Sequence, residues 1–138
     1  MHGEVVHFEV PAKNLKRAKA FYSKIFGWKT NDTKMPNGGT YTSLITTEME
    51  AYGPFEVVAN MRPKHPGAIN GGMMKLGKPY SGPVVTIEVD DVAAALKSIE
   101  KNGGKTVVKR TQMGEYGAYG YFRDPEGNLM GLFEAPKT

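Results

Sequence analysis

Residues 84–104 read Val84-Val85-Thr86-Ile87-Glu88-Val89-Asp90-Asp91-Val92-Ala93-Ala94-Ala95-Leu96-Lys97-Ser98-Ile99-Glu100-Lys101-Asn102-Gly103-Gly104. The run begins as a strand, with Val85, Ile87 and Val89 on one face and Val84, Thr86 and Glu88 on the other. Asp90 or Asp91 is placed to cap a helix. Val92, Ala95, Leu96 and Ile99 form its apolar stripe, and Gly103-Gly104 ends it. The same design stands near the start of the chain. Val5–Val10 alternates, with Val6, Phe8 and Val10 facing one way and Val5, His7 and Glu9 the other, and Pro11 is expected to end the strand. Asn14 is the N-cap, Leu15, Ala18, Tyr22, Ile25 and Phe26 are the stripe, and Gly27 is the left-handed stop. At one constant separation Leu15 aligns with Val92, Ala18 with Ala95, Tyr22 with Ile99, and Gly27 with Gly104. His7 then aligns with Val84, and Glu9 with Thr86.

Such self-similarity is the mark of duplicated modules. Three strand-like segments follow each helix. In the first half they are Thr40–Ile45, Phe55–Met61 and Gly72–Leu76; in the second, Thr106–Arg110, Tyr116–Phe122 and Leu129–Glu134. The reading is an α+β fold of two tandem βαβββ modules, residues 4–76 and 82–135, within one domain over 1–138. Asp124-Pro125-Glu126-Gly127-Asn128 reads as the hairpin turn between the last two strands, with Pro125 presetting φ and Gly127 free to take positive φ.

Composition narrows the function. The 138 residues include no cysteine, which removes disulfides, thiolate metal sites and cysteine nucleophiles. The net charge of +4 comes from scattered Lys and Arg, so nucleic acid is not an expected partner, whereas an anionic small molecule is compatible. No apolar run reaches membrane-spanning length, and Met1-His2-Gly3-Glu4 does not resemble a leader, so a cytoplasmic protein is expected. The glycine pairs Gly71-Gly72 and Gly103-Gly104 lack the strand–loop–helix context of phosphate loops.

The duplication, together with His7-Phe8-Glu9-Val10-Pro11, the helix end Phe21-Tyr22-Ser23-Lys24-Ile25-Phe26-Gly27-Trp28, Val89-Asp90-Asp91 and Phe122–Asn128, resembles the vicinal oxygen chelate superfamily. That superfamily includes glyoxalase I, bleomycin-resistance proteins and extradiol dioxygenases. The resemblance implies eight strands curled into a cup with helices outside, a small-molecule site within, and a homodimer. It also implies a divalent metal such as Zn, Ni, Mn or Fe, held by side chains on facing strands. Of the implied ligand positions only His7 carries a donor: its repeat mate is Val84, the last-strand position is Gly131, and the fourth-strand position falls at Gly72 or Met73.

Glu9 and Glu88 share the implied cup face and are candidate general acid and base. Trp28, Tyr41, Met73, Thr86, Tyr119 and Tyr121 are candidate substrate-binding residues, because aromatic and methionine side chains wall flat apolar ligands well. Three functions stay open. One is a lyase, isomerase or dioxygenase relative with an incomplete metal site; the second is a metal-free protein that sequesters its ligand, as bleomycin-resistance proteins do; the third is a structural or regulatory module whose cup is closed by side chains.

Overall fold

The two alternating segments picked out by the repeat lie side by side. Val5–Ala12 and Val84–Glu88 pair antiparallel, with Phe8 opposite Val85 and Glu9 opposite Val84. The structure, a computed structural model, describes residues 3–35, 38–51 and 61–137. The chain runs β1 (Val5–Ala12), α1 (Leu15–Phe26), β2 (Lys29–Lys34), β3 (Thr40–Ile45), β4 (Met49–Ala51), β5 (Met61–Pro63), β6 (Gly71–Lys75), β7 (Val84–Glu88), α2 (Val92–Lys101), β8 (Lys105–Gln112), β9 (Ala118–Arg123) and β10 (Leu129–Glu134).

One mixed eight-stranded sheet has the order β2-β3-β6-β1-β7-β10-β9-β8. Outward from the centre each half repeats one pattern. β1–β6 and β7–β10 are parallel; β6–β3, β3–β2, β10–β9 and β9–β8 are antiparallel. The duplicated sequence therefore builds a duplicated topology. β4 and β5 form a separate small hairpin sheet inside the first module.

Both helices cover the same face. Asn14 accepts from the Arg17 amide to open α1, and Gly27, at φ 72°, closes it. Asp91, rather than Asp90, caps α2 by accepting from the Ala94 amide. α2 packs Val92, Ala95 and Leu96 against Phe122, Leu132 and Val89, with Ile87 and Met130 at the margin. Each fully buried Val or Leu there contributes about 1.5–3 kcal/mol of transfer free energy. Gly120 permits the approach, because a Cβ there would meet Val92 Cγ1 at 2.9 Å. α1 is different: it has no buried residue, and Phe21, Ile25 and Phe26 are 54–61% exposed.

Two expectations need correction. Pro11 does not end β1, which continues to Ala12. Beyond Glu9 only β6 flanks the strand, so the missing amide of Pro11 costs no ladder bond on the β7 side. The strand after α1 is Lys29–Lys34, a polar segment that apolar alternation does not reveal. The segment Phe55–Met61 lies outside the described residues apart from Met61, which opens β5.

Candidate functional site: the tyrosine–glutamate floor of the cup

Alternation on β1 sends Phe8 toward the helices and His7 and Glu9 to the opposite face. Register then lines up two rows across that face. Ser43, Gly72, Glu9 and Val84 make one; His7, Thr86, Gly131 and Tyr121 make the other. All the ligand positions implied by the family resemblance, except the alternative Met73, fall on these rows, so the face is the inside of the expected cup.

Glu9 is the centre of the cluster. It is 4% exposed. One carboxylate oxygen accepts from Tyr41 Oη at 2.7 Å, and the other accepts a short hydrogen bond from Tyr121 Oη. Tyr41 comes from β3 in the first module and Tyr121 from β9 in the second, so the carboxylate ties the modules together across the cup. Tyr41 Oη also lies 2.9 Å from His7 Nε2. Because the phenol proton of Tyr41 goes to Glu9, its oxygen accepts from His7 Nε2–H, which fixes that tautomer.

The electrostatics follow. Burial, and then the charge of Glu9, raises the Tyr41 and Tyr121 phenols well above their usual value, so both remain protonated donors. Burial lowers the His7 imidazole below its ordinary value, and the Glu9 charge only partly opposes this. His7 is therefore neutral at pH 7. Tyr80, from the β6–β7 connection, packs its ring edge-on to Tyr121 at 5.2 Å, and Tyr119 does so at 5.9 Å.

Two glycines make room on this face, Gly72 for the Tyr41 phenol and Gly131 for the Thr86 hydroxyl. Any Cβ at Gly72 would overlap the Tyr41 hydroxyl, and a Cβ at Gly131 would come within 2.7 Å of Thr86 Oγ1. The space that metal-binding side chains would need at Gly72 and Gly131 is thus taken by Tyr41 and Thr86. His7 Nε2 donates a proton to Tyr41 and so offers no lone pair there. Among the described residues no three His, Cys, Asp or Glu side chains converge. The family's divalent metal does not fit this donor set, which leaves His7 without the ligand role expected of it.

The other expected site residues separate. Tyr41, Thr86, Tyr119 and Tyr121 stand with Glu9 and His7. Glu88 does not: Glu9 faces Val84, and Glu88 lies four residues further along β7, about 13 Å away at strand rise. The expected acid–base pair is therefore not assembled. Met73 is fully buried on the helix face, as a cross-strand partner of Val10 and Thr42. Trp28 is on that face as well, stacked on Tyr22 at 4.8 Å and tilted against Phe8 at 5.7 Å. Neither reaches the cup. Sequence reasoning overlooked Tyr80, whose only signal is a tyrosine between two proline-containing turns. Glu134, at the end of β10, is on the helix face. It accepts from the Val92 amide at the start of α2 and pairs with Arg110 at 2.7 Å.

Residues 4–132 match the model of the Glyoxalase/Bleomycin resistance protein/Dioxygenase superfamily. A protein of Mycobacterium tuberculosis carrying the name glyoxylase CFP32 is 34% identical over 118 residues, covering 86% of this chain. The chain spans 40% of that relative's length. A glyoxylase-like domain-containing protein of Didymella fabae is 30% identical, with 99% of this chain and 97% of that protein aligned. Among solved structures, a methylmalonyl-CoA epimerase in complex with methylmalonyl-CoA superposes with a TM-score of 0.66 at 14% identity, covering 98% of this chain and 96% of that one. At that identity the likeness speaks for the fold alone. With the family model spanning both modules and the Didymella fabae relative aligned almost end to end, the chain belongs to the Glyoxalase/Bleomycin resistance protein/Dioxygenase superfamily.

Proposed function

We propose that this chain binds a small organic molecule in its cup without the superfamily's divalent metal. The observation that carries the reading is the Tyr41 hydroxyl. It sits between His7 Nε2 and Glu9, and it fills the space over Gly72 that a ligand side chain there would need. An open depression of about 470 Å³, walled by Leu76, Pro79 and Tyr80, adjoins this floor. Tyr80 connects the two, because its ring rests on Tyr121, which bonds Glu9.

The test is a thermal-shift screen of aromatic and amphipathic compounds, run on protein stripped with chelator and on protein given Zn, Ni, Mn or Fe. A ligand of the folded state raises Tm. The expected result is a set of hits that shift Tm equally in both preparations and are weakened by Tyr80→Leu. Hits that appear only after metal is added, with metal retained near stoichiometry, refute the reading.

A second reading rests on the neutral His7 at the end of the His7–Tyr41–Glu9 chain. Such a group is a competent general base near neutral pH. The glyoxylase names of the relatives give it a substrate class to try. Metal-independent turnover of a glyoxal-type substrate, abolished in His7→Gln while the fold is kept, would replace sequestration by catalysis.

A further inference from the structure

The depression beside Tyr80 carries charge that nothing in its wall balances. Lys78 and Arg123 line it together with apolar Leu76, Pro79 and Tyr80, and none of its lining residues is acidic. Arg123 follows Tyr119 and Tyr121 on the cup side of β9, and its cross-strand partner on β8 is Lys105, which adds a third cation to that end of the sheet. The Arg123 guanidinium is held in place, because Nη1 donates to the Gly127 carbonyl at 2.9 Å. Its remaining N–H donors form a planar fork suited to an oxyanion. The carboxylate next in sequence, Asp124, is turned into its own hairpin. There it accepts from the Glu126 and Asn128 amides and from the Asn128 side chain, and these bonds hold its carboxyl below the usual carboxylate range.

Polarity reverses inward. Beyond Tyr80 and Tyr121 lies the Glu9 carboxylate, which repels a second anion. A ligand is therefore oriented, with its anionic end toward Lys78 and Arg123 and its apolar body against the face of Tyr80. We propose that the cup selects an amphipathic anion, a flat or aliphatic body bearing one carboxylate, sulfonate or phosphate. This names the ligand class of the site above and rests on that reading.

Anilinonaphthalene sulfonate and its neutral parent, phenylnaphthylamine, differ by one sulfonate and report binding by fluorescence. The sulfonate is expected to saturate a single site about 10-fold more tightly than the parent, and the preference is expected to shrink as ionic strength rises. Lys78→Gln and Arg123→Gln should each weaken the sulfonate several-fold and leave the parent unchanged. Lys78 is exposed, so its variant folds even if loss of the Arg123 bond loosens the hairpin. Equal binding of the two dyes overturns the anion selection and leaves cup binding intact. So does sulfonate binding that neither substitution nor salt alters, and absence of sulfonate binding overturns it too. If Tyr80→Leu weakens neither dye, the cup reading itself falls.

Discussion

Gly72→Ala is the most informative single change, because its sign depends on one other residue. Gly72 is not at positive φ, so its backbone accepts alanine. In a strand, Gly→Ala by itself stabilises by about 0.5–1 kcal/mol, since the unfolded chain has less freedom to lose. Here the new methyl would overlap the Tyr41 hydroxyl. The ring must swing away, losing its bond to the Glu9 carboxylate and the one from His7. At about 1.5–3 kcal/mol for the charged bond and about 0.5–1.5 for the neutral one, less the backbone gain, the net cost is about 1–4 kcal/mol. For a domain of this size that is a Tm drop of roughly 3–20 °C. In a Tyr41→Ala background the clash is gone, and the same Gly72→Ala change should be neutral or stabilising. The assay is a double-mutant cycle by urea unfolding, with a coupling of at least about 2 kcal/mol expected. If Gly72→Ala costs the same with and without the Tyr41 ring, the phenol does not occupy the space over Gly72, and the argument against a metal ligand there fails with it.

Two predictions concern acid. Arg110 beside Glu134, and the Val92 amide, hold the Glu134 carboxyl down to about 2, against an ordinary value near 4.5. A lowered folded-state pKa adds stability that is complete above the unfolded value and disappears as pH falls from about 4.5 toward 2. Glu134→Gln should therefore lower Tm at pH 7 and flatten the loss of Tm across that window, and an unchanged pH profile would remove Glu134 from the account. Burial lowers the His7 imidazole, so its protonation favours the unfolded chain, and stability should decline as pH falls below about 6.5. Nitrogen-detected NMR should find His7 neutral, in the Nε2–H form, with its titration below that of an ordinary histidine; a charged imidazole at pH 6.5 or above would contradict the geometry.

The order of the elements was legible because both halves obey the same two periods, and a pattern stated twice is hard to misread. β2 escaped because Lys29-Thr30-Asn31-Asp32-Thr33-Lys34 is an edge strand, exposed along nearly its whole length. It is held by polar contacts, Lys19 to Asp32 at 2.8 Å and Thr42 to Asp32 at 2.7 Å, which leave no apolar alternation. That His7, Glu9, Tyr41, Thr86, Tyr119 and Tyr121 share one face of the sheet was legible too. Their mutual bonding was not, because Tyr41 reaches Glu9 across β6, over Gly72, and Tyr121 reaches it across β10 and β7. Met73 was assigned to the wrong side since a strand that begins Gly71-Gly72 gives no apolar clue to its parity. Trp28 precedes its strand, and its place is set by stacking on Tyr22 instead of by alternation.

The unequal attachment of the two helices divides the molecule by how it opens. α2 is locked down by a closed core and by the Glu134 carboxylate at its first turn, whereas α1 lies on its half of the sheet with no buried side chain. Amides of α1 should exchange with solvent through local opening, while those of α2 wait for the whole domain to unfold. Substitutions on α1 thus fall where folding is least sensitive to them, so that half of the duplication is free to vary while its twin keeps the sheet, and Tyr121 with it, in position.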